Sequence, residues 1–208
     1  MRRILSLLSA AALLMVPASA SALGLKTSFT ETITGPIKLE IVLSEDLAHR
    51  ANNLPKNLSD RTSGSRRTGS FASNGHYGDE SLAYLIHDLN KELTDDFAKR
   101  DIVLSNTATT VLKVTLEKVK PNRPTRNQRR RDSNLSRKSY SIGGADISVD
   151  VISSSGSHIG SAKFDYYGSF GERPIFILDT WLDTERAFEM FSRLLSKKLV
   201  KAGASATS

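Results

Sequence analysis

A basic segment between residues 121 and 140 contains the side chains best suited to binding chemistry. Seven of its residues are cationic and one, Asp132, is acidic, so this segment alone carries a charge of +6 against +7 for the whole chain. Guanidinium groups pair with phosphate and carboxylate oxygens through two parallel hydrogen bonds, which suits arginine to anion recognition. We therefore predict an anion-binding site formed by Arg123, Arg126, Arg129, Arg130, Arg131, Arg137 and Lys138.

The composition of this segment favours some ligand classes over others. Anionic lipid and lipopolysaccharide present dense negative charge, which a cluster of arginines would neutralise. Nucleic acid is less favoured, because proteins that bind single strands interleave aromatic side chains for base stacking, and this segment has one aromatic residue, Tyr140. Arg66 and Arg67, in another polar segment, would extend the basic surface. The alternative interpretation is a solvated, mobile loop that binds nothing.

The histidines do not suggest a metal centre. No two of them have the spacing of a metal-ligand pair. His76 and His87 flank Asp79 and Glu80, but His87 falls on the polar face of a predicted helix and His76 in a loop. We therefore predict no metal and no cofactor at any of the four histidines, which are His49, His76, His87 and His158.

No recognisable catalytic motif is present either. The chain has neither a Gly-x-Ser-x-Gly turn nor a phosphate-binding loop, and Gly143-Gly144 opens a predicted strand instead of a helix. Asp165 and Asp179 would suit a pair of catalytic carboxylates, but nothing in the sequence places them together. The sequence therefore favours a protein that is not an enzyme, with an uncharacterised hydrolase as an alternative.

Two amphipathic helices are the strongest structural signals. The first begins at Asp79, a suitable N-cap, and its apolar stripe is formed by Leu82, Leu85, Ile86, Leu89, Leu93 and Phe97. The second follows Trp181, with Asp179 or Asp183 as its cap, and its stripe is formed by Ala187, Phe188, Phe191, Leu194, Leu195 and Leu199.

Alternating apolar and polar residues indicate strands between these helices and before the first of them. The predicted strands cover residues 37–43, 107–119, 145–151 and 158–167, and residues 29–34 would pair with 37–43 as a hairpin. The expected fold is α+β: an antiparallel sheet of about four to five strands with two amphipathic helices packed on one face. We expect one domain over residues 23–204, with long loops at 52–76 and 121–144 and a disordered tail at 205–208.

The first 22 residues have the pattern of a cleavable signal peptide. Arg2 and Arg3 precede an apolar run from Ile4 to Val16, which is shorter than the ~20 residues that span a bilayer. The small residues that follow Pro17 offer cleavage sites, so we predict a periplasmic or secreted protein with no transmembrane helix in the mature chain. The chain has no cysteine, which excludes disulfides, thiolate metal sites and lipid attachment through cysteine.

The order of these elements resembles the YajG-like families of small bacterial envelope proteins of unknown function. The resemblance lies in a helix from Asp79, a strand, a basic loop, a Gly143-Gly144-Ala145 start to an alternating strand, a Ser/Gly turn, and a helix after Trp181. It implies an envelope role and no catalytic residues. Many relatives are lipoproteins, whereas this chain lacks the lipidated cysteine, so we expect a protein that is not lipid-anchored.

The predicted function is that of a periplasmic or secreted, non-enzymatic binding protein of the bacterial cell envelope. Its expected partner is an anionic lipid or lipopolysaccharide surface. An alternative is an accessory protein of envelope assembly or transport, which would bind another envelope protein through an exposed sheet edge or the basic loop.

Overall fold

The computed structural model describes residues 24–61, 70–169 and 179–204. Within these ranges a five-stranded sheet and four α-helices form one hydrophobic core, and the predicted α+β class is confirmed. The sheet order is β1-β5-β4-β3-β2, from strands β1 (Lys26–Phe29), β2 (Ile37–Leu43), β3 (Thr110–Lys120), β4 (Gly144–Ile152) and β5 (His158–Tyr167). The helices are α1 (Glu45–His49), α2 (Asp79–Ala98), α3 (Arg126–Arg131) and α4 (Leu182–Lys201).

The sheet is mixed, and this corrects the expectation of a purely antiparallel one. β2 and β3 run parallel, in a register that pairs Ile37 with Thr110 and Leu43 with Leu116. The other three strand pairs are antiparallel. The reason is that α2 lies between β2 and β3 in the chain, and a helix of this length returns the chain to the end of the sheet at which β2 began.

The predicted hairpin between residues 29–34 and β2 is wrong. β1 ends at Phe29 and pairs with β5 at the opposite edge of the sheet. The chain then leaves the sheet, because the buried side chain of Ile33 belongs to the core and the Ile33 N–H donates to the Ala202 carbonyl at 2.8 Å. The hydrogen bond from Ile33 to Ala202, the C-cap residue of α4, therefore positions residues 30–34, and they do not form a hairpin with β2.

α2 and α4 lie side by side and run in the same direction. The Tyr84 hydroxyl donates to Glu185 at 2.7 Å near the start of both helices. Near their ends, Arg100 Nε donates to the Ser196 hydroxyl at 2.8 Å. The two apolar stripes meet the sheet, where the rings of Phe164 in β5 and Phe191 in α4 are 5.7 Å apart.

The helix caps differ by a residue or two from those expected. Asp79 is the first helical residue of α2, since Gly78, with a φ of 91°, occupies the cap position. Trp181 occupies the N-cap position of α4 without a side-chain cap hydrogen bond, and the Asp183 side chain bonds to Asn122 and Gly143 instead.

The predicted signal peptide at residues 1–22, the predicted tail at 205–208, and Arg66 and Arg67 all lie outside the described residues. Within the described ranges, no helix is both long enough and apolar enough to cross a membrane.

Candidate functional site

The basic segment contains a short helix where a continuous loop was expected. Thr125 is the N-cap of α3, and its hydroxyl accepts the N–H of Gln128 at 3.2 Å. In return, Gln128 Oε1 accepts the Thr125 N–H at 3.0 Å. This reciprocal capping box satisfies two backbone donors that a helix start otherwise leaves unpaired. The three arginines in the last turn also interact favourably with the negative end of the helix dipole.

Gln128 joins the basic segment to the other predicted loop. Its side chain is buried, and its Nε2 donates to the carbonyls of Phe71 at 2.8 Å and Gly75 at 2.9 Å. The Thr125 hydroxyl adds a 3.3 Å hydrogen bond to the carbonyl of His76. Residues 71–76, at the end of the loop expected at 52–76, therefore pack against α3 and hold it on the surface.

A second buried junction holds the start of the basic segment and the residues just after its end. Asn122 Nδ2 donates to Asp183 Oδ2 at 2.6 Å, and the Asp183 N–H donates to Asn122 Oδ1 at 2.9 Å. The same Asp183 oxygen accepts the Gly143 N–H at 3.1 Å. Residues 122 and 143 are thus attached to the start of α4. Sequence reasoning missed this junction, because the pattern around Asn122 gives no sign of a partner so distant in the chain.

Two of the seven predicted anion-binding residues support the shape of the segment. Arg123 Nη1 donates to the Ser139 carbonyl at 3.4 Å, and Arg129 Nη1 donates to the Pro124 carbonyl at 2.9 Å. Both side chains are partly buried. Their guanidinium groups are therefore engaged in part with the protein's own backbone.

The other five predicted residues are exposed, and we refer to them together as the arginine surface. Across the described part of the chain, no residue forms an ion pair with any of them. The surface comprises Arg126, Arg130, Arg131, Arg137 and Lys138.

The arginines of α3 line two different cavities. Arg126 and Arg130, one turn apart, line a cavity of about 330 Å³ together with residues 77–81 at the start of α2. Asp79 and Glu80 also line it, so its charge is mixed. Arg131 instead lines a groove of about 450 Å³ beside His76. The structure thus brings Arg126 and Arg130 together and places Arg131 at a separate feature.

His76 lines the same groove as Arg131 of the arginine surface. Burial lowers the pKa of His76, the positive charge of Arg131 lowers it further, and a hydrogen bond to the Asn52 backbone opposes both. Both effects favour the neutral ring, and its Nδ1 is buried with no hydrogen-bond partner among the described residues. In those same ranges, no three His, Cys, Asp or Glu side chains are grouped closely enough to hold a metal ion.

Comparisons with known proteins leave the chain without an assigned family. No family model matches it, and no curated protein does. The solved structures similar to it include a PelC dodecamer from Paraburkholderia phytofirmans, which is 11% identical with a TM-score of 0.42 over 83% of this chain and 94% of that one. A PelC point variant from the same organism is 10% identical, also with a TM-score of 0.42, over 83% of this chain and 96% of that one. At these values the similarity assigns no function, and the resemblance to YajG-like proteins stays a prediction.

Proposed function

We propose that this protein is a non-enzymatic binding protein of the bacterial cell envelope that binds anionic groups through the arginine surface. The observation that carries the proposal is that buried side chains hold the segment on which that surface lies. Its cations lie on a segment held by the buried side chains of Asn122 and Gln128. A held segment loses less conformational entropy on binding than a free loop does, so more of the electrostatic attraction remains as affinity.

The size of the expected attraction follows from the number of exposed cations. A lysine or arginine near an anionic leaflet contributes about 1 kcal/mol, so five of them support reversible association without any apolar anchor. Because this attraction is screened over a Debye length of about 10 Å at 0.1 M salt, binding should weaken steeply as salt is raised.

The envelope location rests on the predicted signal peptide, and the ligand class rests on charge. Anionic phospholipid and the lipid A part of lipopolysaccharide share phosphate groups, the chemistry that guanidinium recognises best. The competing interpretation is that the arginines only keep this face of the molecule hydrated, in which case binding would not depend on them.

Sedimentation with phospholipid vesicles at low salt tests the proposal. The variant Arg126→Ala/Arg130→Ala/Arg131→Ala removes three cations of the arginine surface. Arg193→Ala/Lys197→Ala/Lys201→Ala is its matched control, because it removes the same charge from exposed positions of α4. We expect the first variant to lose on the order of 10- to 100-fold in partitioning onto anionic vesicles, and the control to retain most of it.

Vesicles of different composition identify which lipid supplies the phosphate groups. Zwitterionic vesicles should retain neither the unmodified protein nor the variants. Vesicles that contain lipid A are then compared with vesicles of anionic phospholipid at equal charge. Equal loss of binding in the two triple variants would show that net charge alone attracts the protein, and it would overturn the proposal.

A further inference from the structure

The groove beside Arg131 has the size and lining of a small-molecule site. It opens between Leu54 and residues 71–76 on one side and the residues of α3 and the turn after it on the other, with a volume of about 450 Å³. Cavities that bind small organic ligands have volumes of ≈ 300–1,000 Å³. Leu54, Phe71 and Leu135 supply its apolar lining, and the Leu54 side chain is 42% exposed although it is aliphatic.

One cation, Arg131, and one carboxylate, Asp132, line this groove. Arg131 is exposed and has no ion-pair partner among the described residues. Asp132 also lines the groove, but its Oδ1 accepts two hydrogen bonds from Asn134, at 2.9 Å from the backbone N–H and 2.8 Å from Nδ2. These bonds hold one oxygen of the acidic group in its own turn, and among the described residues no ion pair joins Asp132 to Arg131.

His76 combines two unfavourable features at the same groove. Its backbone has a φ of 55°, which is uncommon for a residue other than glycine. Its Nδ1 is buried and has no hydrogen-bond partner within the described ranges. Strained backbone and unpaired buried polar atoms each cost about 1–3 kcal/mol, and strained residues are found most often at functional sites.

From this arrangement we infer that the groove binds an amphipathic anion, a small molecule with one carboxylate or phosphate head and an apolar chain. The head pairs with Arg131, and the chain lies along Leu54, Phe71 and Leu135. This inference deepens the proposed anion binding, since it adds an apolar site to one residue of the arginine surface.

Titration of the purified protein with octanoate and with octyl phosphate tests the inference. Acetate is the control for the head group and 1-hexanol the control for the chain. The readout is NMR of the Gln128 side-chain amide, the Gly75 amide and the His76 ring, which all belong to residues that line the groove. We expect saturable shifts in the millimolar range with the two amphipathic anions, and none with acetate or hexanol at the same concentrations.

Two pairs of variants make the assignment specific. Leu54→Ser should weaken octanoate binding about fivefold, while Leu58→Ser, at a more exposed leucine that does not line the groove, should change it less than about twofold. Arg131→Gln should weaken octanoate binding about tenfold. Arg130→Gln changes a residue that lines the other cavity, and it should leave octanoate binding unchanged. Equal effects within either pair, or no saturable shift with octanoate, would overturn the inference.

Vesicle binding separates this inference from the proposed function. Octanoate binding that is about fivefold weaker in Leu54→Ser, with normal retention on anionic vesicles, supports both statements. Vesicle binding without any octanoate binding refutes the groove alone. Octanoate binding without charge-dependent vesicle binding refutes the proposed surface interaction and leaves the groove as a site for a soluble anion.

Discussion

Asn122 and Asp183 exchange two hydrogen bonds across 61 residues of chain and attach the basic segment to the start of α4. Both side chains are buried, so each satisfies polar atoms of the other that water does not reach. This pair, together with Gln128, turns a stretch of polar and basic sequence into an ordered part of the surface.

Removal of the Asp183 carboxylate should therefore destabilise the protein. Asp183→Ala removes the shorter of the two hydrogen bonds that the Asn122 amide donates and leaves it only the Ser141 carbonyl at 3.3 Å. It also removes the acceptor of the Gly143 N–H, and we expect a loss of about 2–4 kcal/mol in the free energy of unfolding. Urea denaturation measures this loss. Asp179→Ala, at an exposed aspartate close by, is the control and should change stability by less than about 0.5 kcal/mol. Similar values for both variants would contradict the structural role of the junction.

Gln128→Ala should loosen the contact between the two long segments while the core stays folded. The change removes the hydrogen bonds to Phe71 and Gly75 and half of the capping box of α3. We expect faster amide hydrogen exchange over residues 71–76 and 125–131, with β4 unchanged. Asn134→Ala, which alters the exposed turn after α3, serves as the comparison and should leave exchange at residues 71–76 as it is.

Gly75→Ala should cost more stability than a left-handed backbone alone explains. Gly75 has a φ of 72°, and a Cβ there would lie 2.2 Å from the Asn53 carbonyl oxygen. Gly35 has a φ of 75°, and a Cβ there would meet no atom within 4 Å. We expect about 1–2 kcal/mol for Gly35→Ala and at least about 2 kcal/mol more for Gly75→Ala in thermal or urea unfolding. Equal losses would show that the 70–76 segment moves away without cost.

The surface between α2 and α4 should make stability depend on pH. Burial raises the pKa of Asp88 to about 6, and the negative charges of Glu185, Glu92 and Glu189 raise it as well, while Lys91 opposes them. The folded state therefore binds a proton more tightly than the unfolded state does. Stability should rise as the pH falls from about 6 toward about 4, and the ionised carboxylate should be destabilising above pH 6.

Asp88→Asn tests this pH dependence. At pH 7.5 it should stabilise the protein by on the order of 1 kcal/mol after screening by solvent, and it should flatten the slope of stability between pH 4 and 6. Asp95→Asn is the control, because Asp95 accepts a hydrogen bond from Lys91 and its replacement should not stabilise. A slope that is unchanged in Asp88→Asn would assign the pH dependence to another group.

The parts of the fold that were predictable are those set by local periodicity. The apolar stripe from Leu82 to Phe97 determines α2, and the alternation from Ala145 to Val151 determines β4, because in each case one face must be buried. Strand partners were not predictable in the same way. Periodicity reports which face of residues 37–43 is apolar, but not that β3 lies beside them in parallel.

The candidate site was predictable in composition and not in arrangement. Charge alone identified the arginines, and the Thr125-x-x-Gln128 spacing was a legible capping signal for α3. The division of the arginines between two cavities depends on the contact of Gln128 with Phe71 and Gly75, residues far away in the chain. No local pattern encodes such a contact, so His76 could not be assigned to a groove from sequence.

The pairing of β1 with β5 has a consequence for the order of folding. Ser28 meets Ser161 across 133 residues, and the N–H of Ile33 reaches the carbonyl of Ala202 near the end of the described chain. The β4–β5 hairpin closes a short loop, whereas β1 has no edge to join until β5 exists. During synthesis or export that begins at the N-terminus, the first of the described strands to emerge is thus the last to be paired, and the sheet is complete only after β5, which ends at Tyr167, has emerged.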